Sequence, residues 1–270
     1  MTVPVSEVNG IDIYYEIHGE GEPVIFGNGI FSNTQGWINQ SPVFSKEYQV
    51  ILYDMRGQGQ SDKPDGPYSF EIHAEDQKTL LDNLGISKAH HVGISYGAEL
   101  GLVFALKYPE MLKSLVVCSA VSFVGPLLNE MCQLWRYACN LGDPDLFYHA
   151  TVPLNFGNTF IRNNAAILEQ ARARYAQLDY PPLVRLCDAF LMLDITDQLP
   201  KINTTTCIIG GEKDVIKPVY PYSMVIHDNL PNSELVIVSD SGHAVTFDKP
   251  EEFNSIVLGF LHKQSKVHPS

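Results

Sequence analysis

A serine attacks a carbonyl only when a base takes its proton and an acid orients that base, so Ser, His and a carboxylate must converge. Ser95 stands in Gly93-Ile94-Ser95-Tyr96-Gly97, directly after a short apolar run (residues 91–94) and before a helix-forming one (97–108). A strand-to-helix turn there strains the serine backbone, and glycine on both sides lets neighbouring backbone pass close. The turn also lifts the hydroxyl to a helix N-terminus, where free N–H groups can hold a developing anion. Downstream, Gly211-Glu212-Lys213-Asp214 follows one apolar run and Ser241-Gly242-His243-Ala244 follows the last. Taken singly, Ser95 fits an idle serine in a glycine-rich turn, Asp214 a solvated loop acid and His243 a loop histidine. In the order Ser95, Asp214, His243, each after a strand, they point to a catalytic triad. Glu212 is the rival acid, expected to point back along its strand or into the turn.

An oxyanion formed by that attack needs two N–H donors aimed at one point. The backbone of Tyr96, next after the serine, supplies one. The turn Gly27-Asn28-Gly29-Ile30 supplies the other, with the Ile30 N–H as the candidate. A plain glycine-rich turn is the alternative use of that segment.

These pieces require a sheet whose strand ends line up. Residues 6–15 hold two strand-like runs around Asn9-Gly10, a hairpin signal. Residues 23–26, 48–53, 91–94, 115–118, 207–209 and 235–238 are apolar runs of strand length, while 70–84, 97–108 and 251–263 have helical spacing. The alternation predicts an α/β fold, a mostly parallel sheet covered on both faces after an antiparallel start. Residues from about 121 to 200 break the pattern, with large apolar groups but no convincing buried strand. A helical insertion acting as a lid is expected there, giving a core of 1–120 and 201–270 and a cap of 121–200. Trp135 and Phe123 are the candidate substrate-binding residues, with ordinary packing inside the cap as the competing use. Arg136, Arg162, Arg172, Arg174 and Arg185 also fall in this region. One could bind a substrate carboxylate, and solvated helix faces are the expected use of most.

The balance of the 270 residues narrows the partners. With 45% hydrophobic and 18% charged residues the chain has the composition of a soluble globular enzyme, and its net charge of −13 opposes binding to phosphate backbones and anionic membranes. No stretch approaches the roughly 18–20 apolar residues of a membrane span. The first ten residues lack a basic region followed by an apolar core, so no secretory signal is expected and a cytoplasmic location is. Cysteines 118, 132, 139, 187 and 207 form no CxxC pair. Cys132 and Cys139, seven apart on a helical segment, would lie about 10 Å apart, too far for a disulfide, so reduced thiols are expected. No His/Cys cluster has structural-zinc spacing, and a serine triad calls for neither a metal nor an organic cofactor.

Gly27-Asn28-Gly29, the stretch from Asp54 to Ser61, Gly93-Ile94-Ser95-Tyr96-Gly97, Asp214 with Pro218, and Gly242-His243 resemble, in order, the motifs of the α/β-hydrolase fold superfamily. The resemblance spans essentially the whole chain. It implies a serine hydrolase built on a mostly parallel, eight-stranded sheet with helices on both faces and a helical cap inserted. Asn28-Gly29, where members commonly carry His-Gly, and the stretch from Tyr53 to Tyr68 are similar to 3-oxoadipate enol-lactonases. Residues 54–61 are expected to be a structural turn. Serine in place of aspartate disfavours epoxide opening and halide displacement, and the glycine-rich loop usual in C–C hydrolases is absent.

The expected function is that of a serine esterase, hydrolysing a small-to-medium carboxylic ester or lactone through an acyl-enzyme. Enol-lactonase-like or C–C bond hydrolysis on the same triad, cofactor-free peroxidase chemistry, and a non-catalytic ligand-sensing role remain the alternatives. Turnover separates the last from the others. Oligomeric state is left open.

Overall fold

Strands buried on both faces carry apolar residues at consecutive positions, and successive side chains then feed two different cores. A computed structural model of the chain, which describes residues 4–267, has this arrangement. Val24, Phe26, Val50, Leu52, Val116 and Cys118 enter one core, while Ile25, Ile51, Tyr53, Leu115 and Val117 enter the other.

The first strands, β1 (Val5–Val8) and β2 (Ile11–His18), form the hairpin. Asn9 and Gly10 both have positive φ, 49° and 78°, as a tight two-residue turn requires. Then come β3 (Glu22–Gly27), α1 (Ser41–Phe44), β4 (Tyr48–Tyr53), α2 (Phe70–Asn83), β5 (Ala89–Ile94), α3 (Tyr96–Lys107) and β6 (Leu112–Cys118). Ser69 caps α2 by accepting the Ile72 N–H at 3.2 Å. After β6 the chain builds five helices, α4 (Pro126–Leu141), α5 (Pro144–Thr151), α6 (Asn158–Asn163), α7 (Ala165–Tyr175) and α8 (Tyr180–Leu191). It closes with β7 (Thr206–Gly211), α9 (Met224–Asn229), β8 (Ser233–Val238), α10 (Val245–Asp248) and α11 (Pro250–Val267).

The eight strands lie in the order β1-β2-β4-β3-β5-β6-β7-β8. β2 runs antiparallel to β1 and β4, and the other pairings are parallel. From β3 the chain goes to β4 on one side and returns to β5 on the other, which opens a crevice beyond the strand ends at that point. The loops after β3 and β5 meet in this crevice.

β5, β6 and β7 begin before their apolar runs do, because buried polar residues occupy their first turns of strand. His90 Nδ1 and the Ser114 hydroxyl, for example, are hydrogen-bonded across β5 and β6 at 2.7 Å. All five cysteines are free and buried. Among the described residues, no helix is long and apolar enough to cross a membrane.

Candidate active site

Ser95 is the hinge between β5 and α3, with φ 51° and ψ −123°, a conformation costly for any residue with a side chain. Its N–H donates to the Cys118 carbonyl at 2.8 Å, and its carbonyl accepts the N–H groups of Ala98 and Glu99, so the turn is held from both sides. The flanking glycines are sterically required. A Cβ on Gly93 would lie 2.4 Å from the Gly97 carbonyl oxygen, and one on Gly97 would lie 2.1 Å from that of Gly27.

His243 follows β8 in a loop fixed by the Ser119 hydroxyl, which donates to the His243 carbonyl at 2.8 Å. The Asp248 carboxylate accepts the N–H of Gly242 at 2.5 Å and that of Gly157 at 2.9 Å, tying this loop to the inserted helices. The Ala244 N–H donates to the Asn155 carbonyl at 2.7 Å and adds a second tie. Asp214, in the loop after β7, lies 2.8 Å from His243 Nδ1 through Oδ2. Its other oxygen accepts the N–H groups of Ile216 at 2.8 Å and Lys217 at 2.9 Å. Burial opposes charge on this carboxylate, but His243 and the two N–H donors outweigh it and hold the group below the usual carboxylate range. An imidazole so anchored at Nδ1 leaves Nε2 as the free basic atom. Glu212 turns elsewhere, accepting the Asp240 N–H at 2.9 Å.

Ser95 and His243 both face a cavity of about 140 Å³. Ile30, Phe31, Trp135, Val152, Phe156 and Tyr175 are among its apolar lining residues, and Asn28, Asn155 and Arg174 also reach it. Asn28 is buried and shapes the loop after β3, its side-chain amide donating to the Tyr53 carbonyl and its oxygen accepting the Trp37 indole N–H. Among the described residues, no protein acceptor takes the N–H of Ile30 or of Tyr96. Ile30 lines the cavity with Ser95, and Tyr96 follows the serine in the chain.

Trp135 lies in the cavity wall, oriented by its indole N–H on the Ala150 carbonyl at 2.9 Å. Phe123 does not line the cavity. Its backbone pairs with Asp194 at the other end of the inserted segment and its ring packs against Tyr222, so it closes the insertion at its base. Of the five arginines, Arg136, Arg172 and Arg185 pair with Asp188, Asp145 and Asp65, and Arg174 reaches the cavity. In the 54–61 stretch, Asp54 accepts the N–H groups of Thr34 and Gln60, and the Ser61 hydroxyl donates to the Asp54 carbonyl. That is the work of a turn. Among the described residues, no group of three or more His, Cys, Asp or Glu side chains is arranged to hold a metal ion.

Two site residues escaped the sequence reading. Lys217 Nζ lies 3.1 Å from Ser95 Oγ and 2.8 and 2.9 Å from the two oxygens of Glu99. The side chains of Lys217 and Glu99 are 2% and 0% exposed. Burial pushes the Glu99 carboxyl up, opposed by the Lys217 ammonium and the Val121 N–H. One acid in the otherwise apolar first two turns of α3 was the available signal, because a buried charge demands a partner. Among the described residues, Ser95 Oγ bonds to Lys217 and not to His243. Such contacts commonly tighten only when substrate is bound.

The wider likeness agrees with the architecture. The family model described as alpha/beta hydrolase fold matches residues 22–250. A relative from Stutzerimonas stutzeri (strain A1501), named "Putative carbamate hydrolase RutD", is 32% identical over 261 residues, covering 93% of this chain and 97% of that protein. The crystal structure of MGS-M2, an alpha/beta hydrolase enzyme from a Medee basin deep-sea metagenome library, superposes with a TM-score of 0.92 at 33% identity, over 96% of this chain and 97% of that one. The enol-lactonase from Burkholderia xenovorans LB400 shares the fold, with a TM-score of 0.90 at 23% identity over 96% and 100% of the two chains. The serine turn, the strand order that brings three loops to one sheet edge and these matches agree, and the chain belongs to the α/β-hydrolase fold family.

Proposed function

We propose that the protein is a serine hydrolase that cleaves a small carboxylic ester or lactone through an acyl-enzyme. The observation that carries this reading is the Asp214–His243 hydrogen bond of 2.8 Å beside a serine on the wall of the same apolar cavity. Ser95 Oγ attacks the carbonyl carbon while its proton passes to His243 Nε2. Asp214 keeps Nδ1 protonated and offsets the imidazolium charge. The N–H groups of Ile30 and Tyr96 receive the oxyanion, His243 protonates the departing alkoxide, and water attacks the acyl-enzyme by the same route in reverse. The helices of 121–200 act as a cap over the core of 1–120 and 201–270 and contribute Trp135, Val152, Phe156 and Tyr175 to the cavity wall.

A cavity near 140 Å³ is about the size that holds one benzene-sized molecule, so short acyl groups are favoured. The name of the Stutzerimonas stutzeri relative supports a second reading, carbamate hydrolysis, in which the same attack expels the alcohol and leaves a carbamoyl-serine, from which water releases Ser95 and a carbamic acid that falls apart to amine and carbon dioxide.

Hydrolysis of p-nitrophenyl esters with two to twelve acyl carbons tests the primary reading. The expected outcome is an optimum at or below about six carbons and a loss of at least about 10³-fold in Ser95→Ala. Activity that survives in Ser95→Ala would overturn it. Carbamate turnover with no ester turnover would move the assignment to the second reading.

A further inference from the structure

The pair Lys217–Glu99 sits directly against the reacting oxygen. Glu99 lies four residues after Ser95, one helical turn along α3, and Lys217 lies three residues after Asp214 in the loop that also orients His243. The ammonium is bracketed by both Glu99 oxygens, by Ser95 Oγ at 3.1 Å and by the Phe190 ring at 4.7 Å from its centroid. Glu99 is itself fixed by the Val121 N–H at 2.9 Å.

Stability does not account for such a pair, because apolar residues of similar volume often replace a buried ion pair at no cost. Its polarity suits the chemistry. An ammonium donates and never accepts, so Lys217 occupies a lone pair of Ser95 Oγ and leaves the hydroxyl proton free to point at His243 Nε2. A carboxylate in the same place would compete for that proton.

We propose that Lys217, clamped by Glu99, is a catalytic residue whose ammonium stabilises the negative charge on Ser95 Oγ. That oxygen bears charge twice, as the nucleophile in acylation and as the leaving group when water opens the acyl-enzyme. The Lys217 proton stays on Nζ throughout, while the serine proton alone shuttles to His243 and back. The inference rests on the reading of Ser95 as the nucleophile.

Lys217→Met/Glu99→Leu removes both charges together and avoids an unpaired buried ion. Its burst and steady-state rates with p-nitrophenyl acetate are compared with those of wild type, Lys217→Arg, Lys217→Gln and Ser95→Ala. The double variant should melt near the wild-type temperature while acylation and deacylation both slow by about 10²-fold, the loss seen on removing one oxyanion donor. Lys217→Arg should keep at least a tenth of both rates, and Lys217→Gln should lose as much as the double variant. Rates within about threefold of wild type in the folded double variant, or a raised KM at unchanged kcat, would overturn the role. If the double variant does not fold, equal rates in Lys217→Arg and Lys217→Gln would overturn it. Activity in Ser95→Ala would instead sink the nucleophile itself, and so the two failures are distinguishable.

Discussion

Asp214 stays ionised in a place where burial works against it, because His243 Nδ1–H and two backbone N–H groups converge on its oxygens. Its folded pKa is depressed, so its contribution to stability is present above the unfolded carboxylate value and is lost only as pH falls through that lower range. Asp214→Asn would keep the backbone contacts and the size while losing the tautomer that frees Nε2. Turnover should drop by about 10⁴-fold while the variant still folds, with a lowered melting temperature at neutral pH. Kinetics alongside Glu212→Gln decide the matter, since a comparable loss in Glu212→Gln would return the acid role to the residue bonded to Asp240. At this scale the proposed triad was nameable from the sequence because Ser95, Asp214 and His243 each follow an apolar run in the order such a site requires. Lys217 was not legible, because a lysine beside Pro218 carries no trace of a glutamate 118 positions earlier. Phe123 was misplaced for a related reason: its position within the insertion does not say whether its ring meets the cavity or Tyr222.

The elements were easier to see than their contacts. Strand-length apolar runs and helical spacing identified β3 to β8, α2, α3 and α11, since both periodicities come from burial that local sequence must satisfy. Strand starts were hidden where buried polar residues pair across the sheet, as His90 does with Ser114. The turn between β5 and α3 leaves no room for a side chain at Gly93 or Gly97. Gly97→Ala would force a Cβ to within 2.1 Å of the Gly27 carbonyl, where only backbone can yield. A loss of about 1–3 kcal/mol or more is expected, with Ser95 displaced and turnover falling with it. An unchanged denaturation midpoint would show that the crowding is absent. In the inserted helices, Trp135→Leu should shift the acyl-length optimum upward by opening the cavity wall, and the ester series reads this directly. An unmoved optimum would exclude Trp135 from the acyl side of the cavity.

Across the whole molecule, two buried histidines make the fold sensitive to mild acid. Burial lowers His73 and His91 to about 4, against an unfolded value near 6.5. Between those values the unfolded chain binds more protons, so their share of stability is full above pH 6.5 and declines as pH falls towards 4. Both ring nitrogens of His73 lack a partner among the described residues. His73→Leu should therefore gain on wild type as pH falls, by about 1.4 kcal/mol per pH unit across that window. Melts of both proteins from pH 7.5 to 4 give the difference, and a constant difference would refute the assignment. The molecule as a whole brings three loops to the crevice beside β3 and β5, and its central claim is that Ser95 attacks there. The most direct measurement is peptide mapping after treatment with a fluorophosphonate that modifies activated serines. A single adduct on the peptide carrying Ser95, absent in His243→Ala and matched by loss of ester turnover, is the predicted result. Label on another residue, or undiminished ester turnover without label on Ser95, would contradict the account.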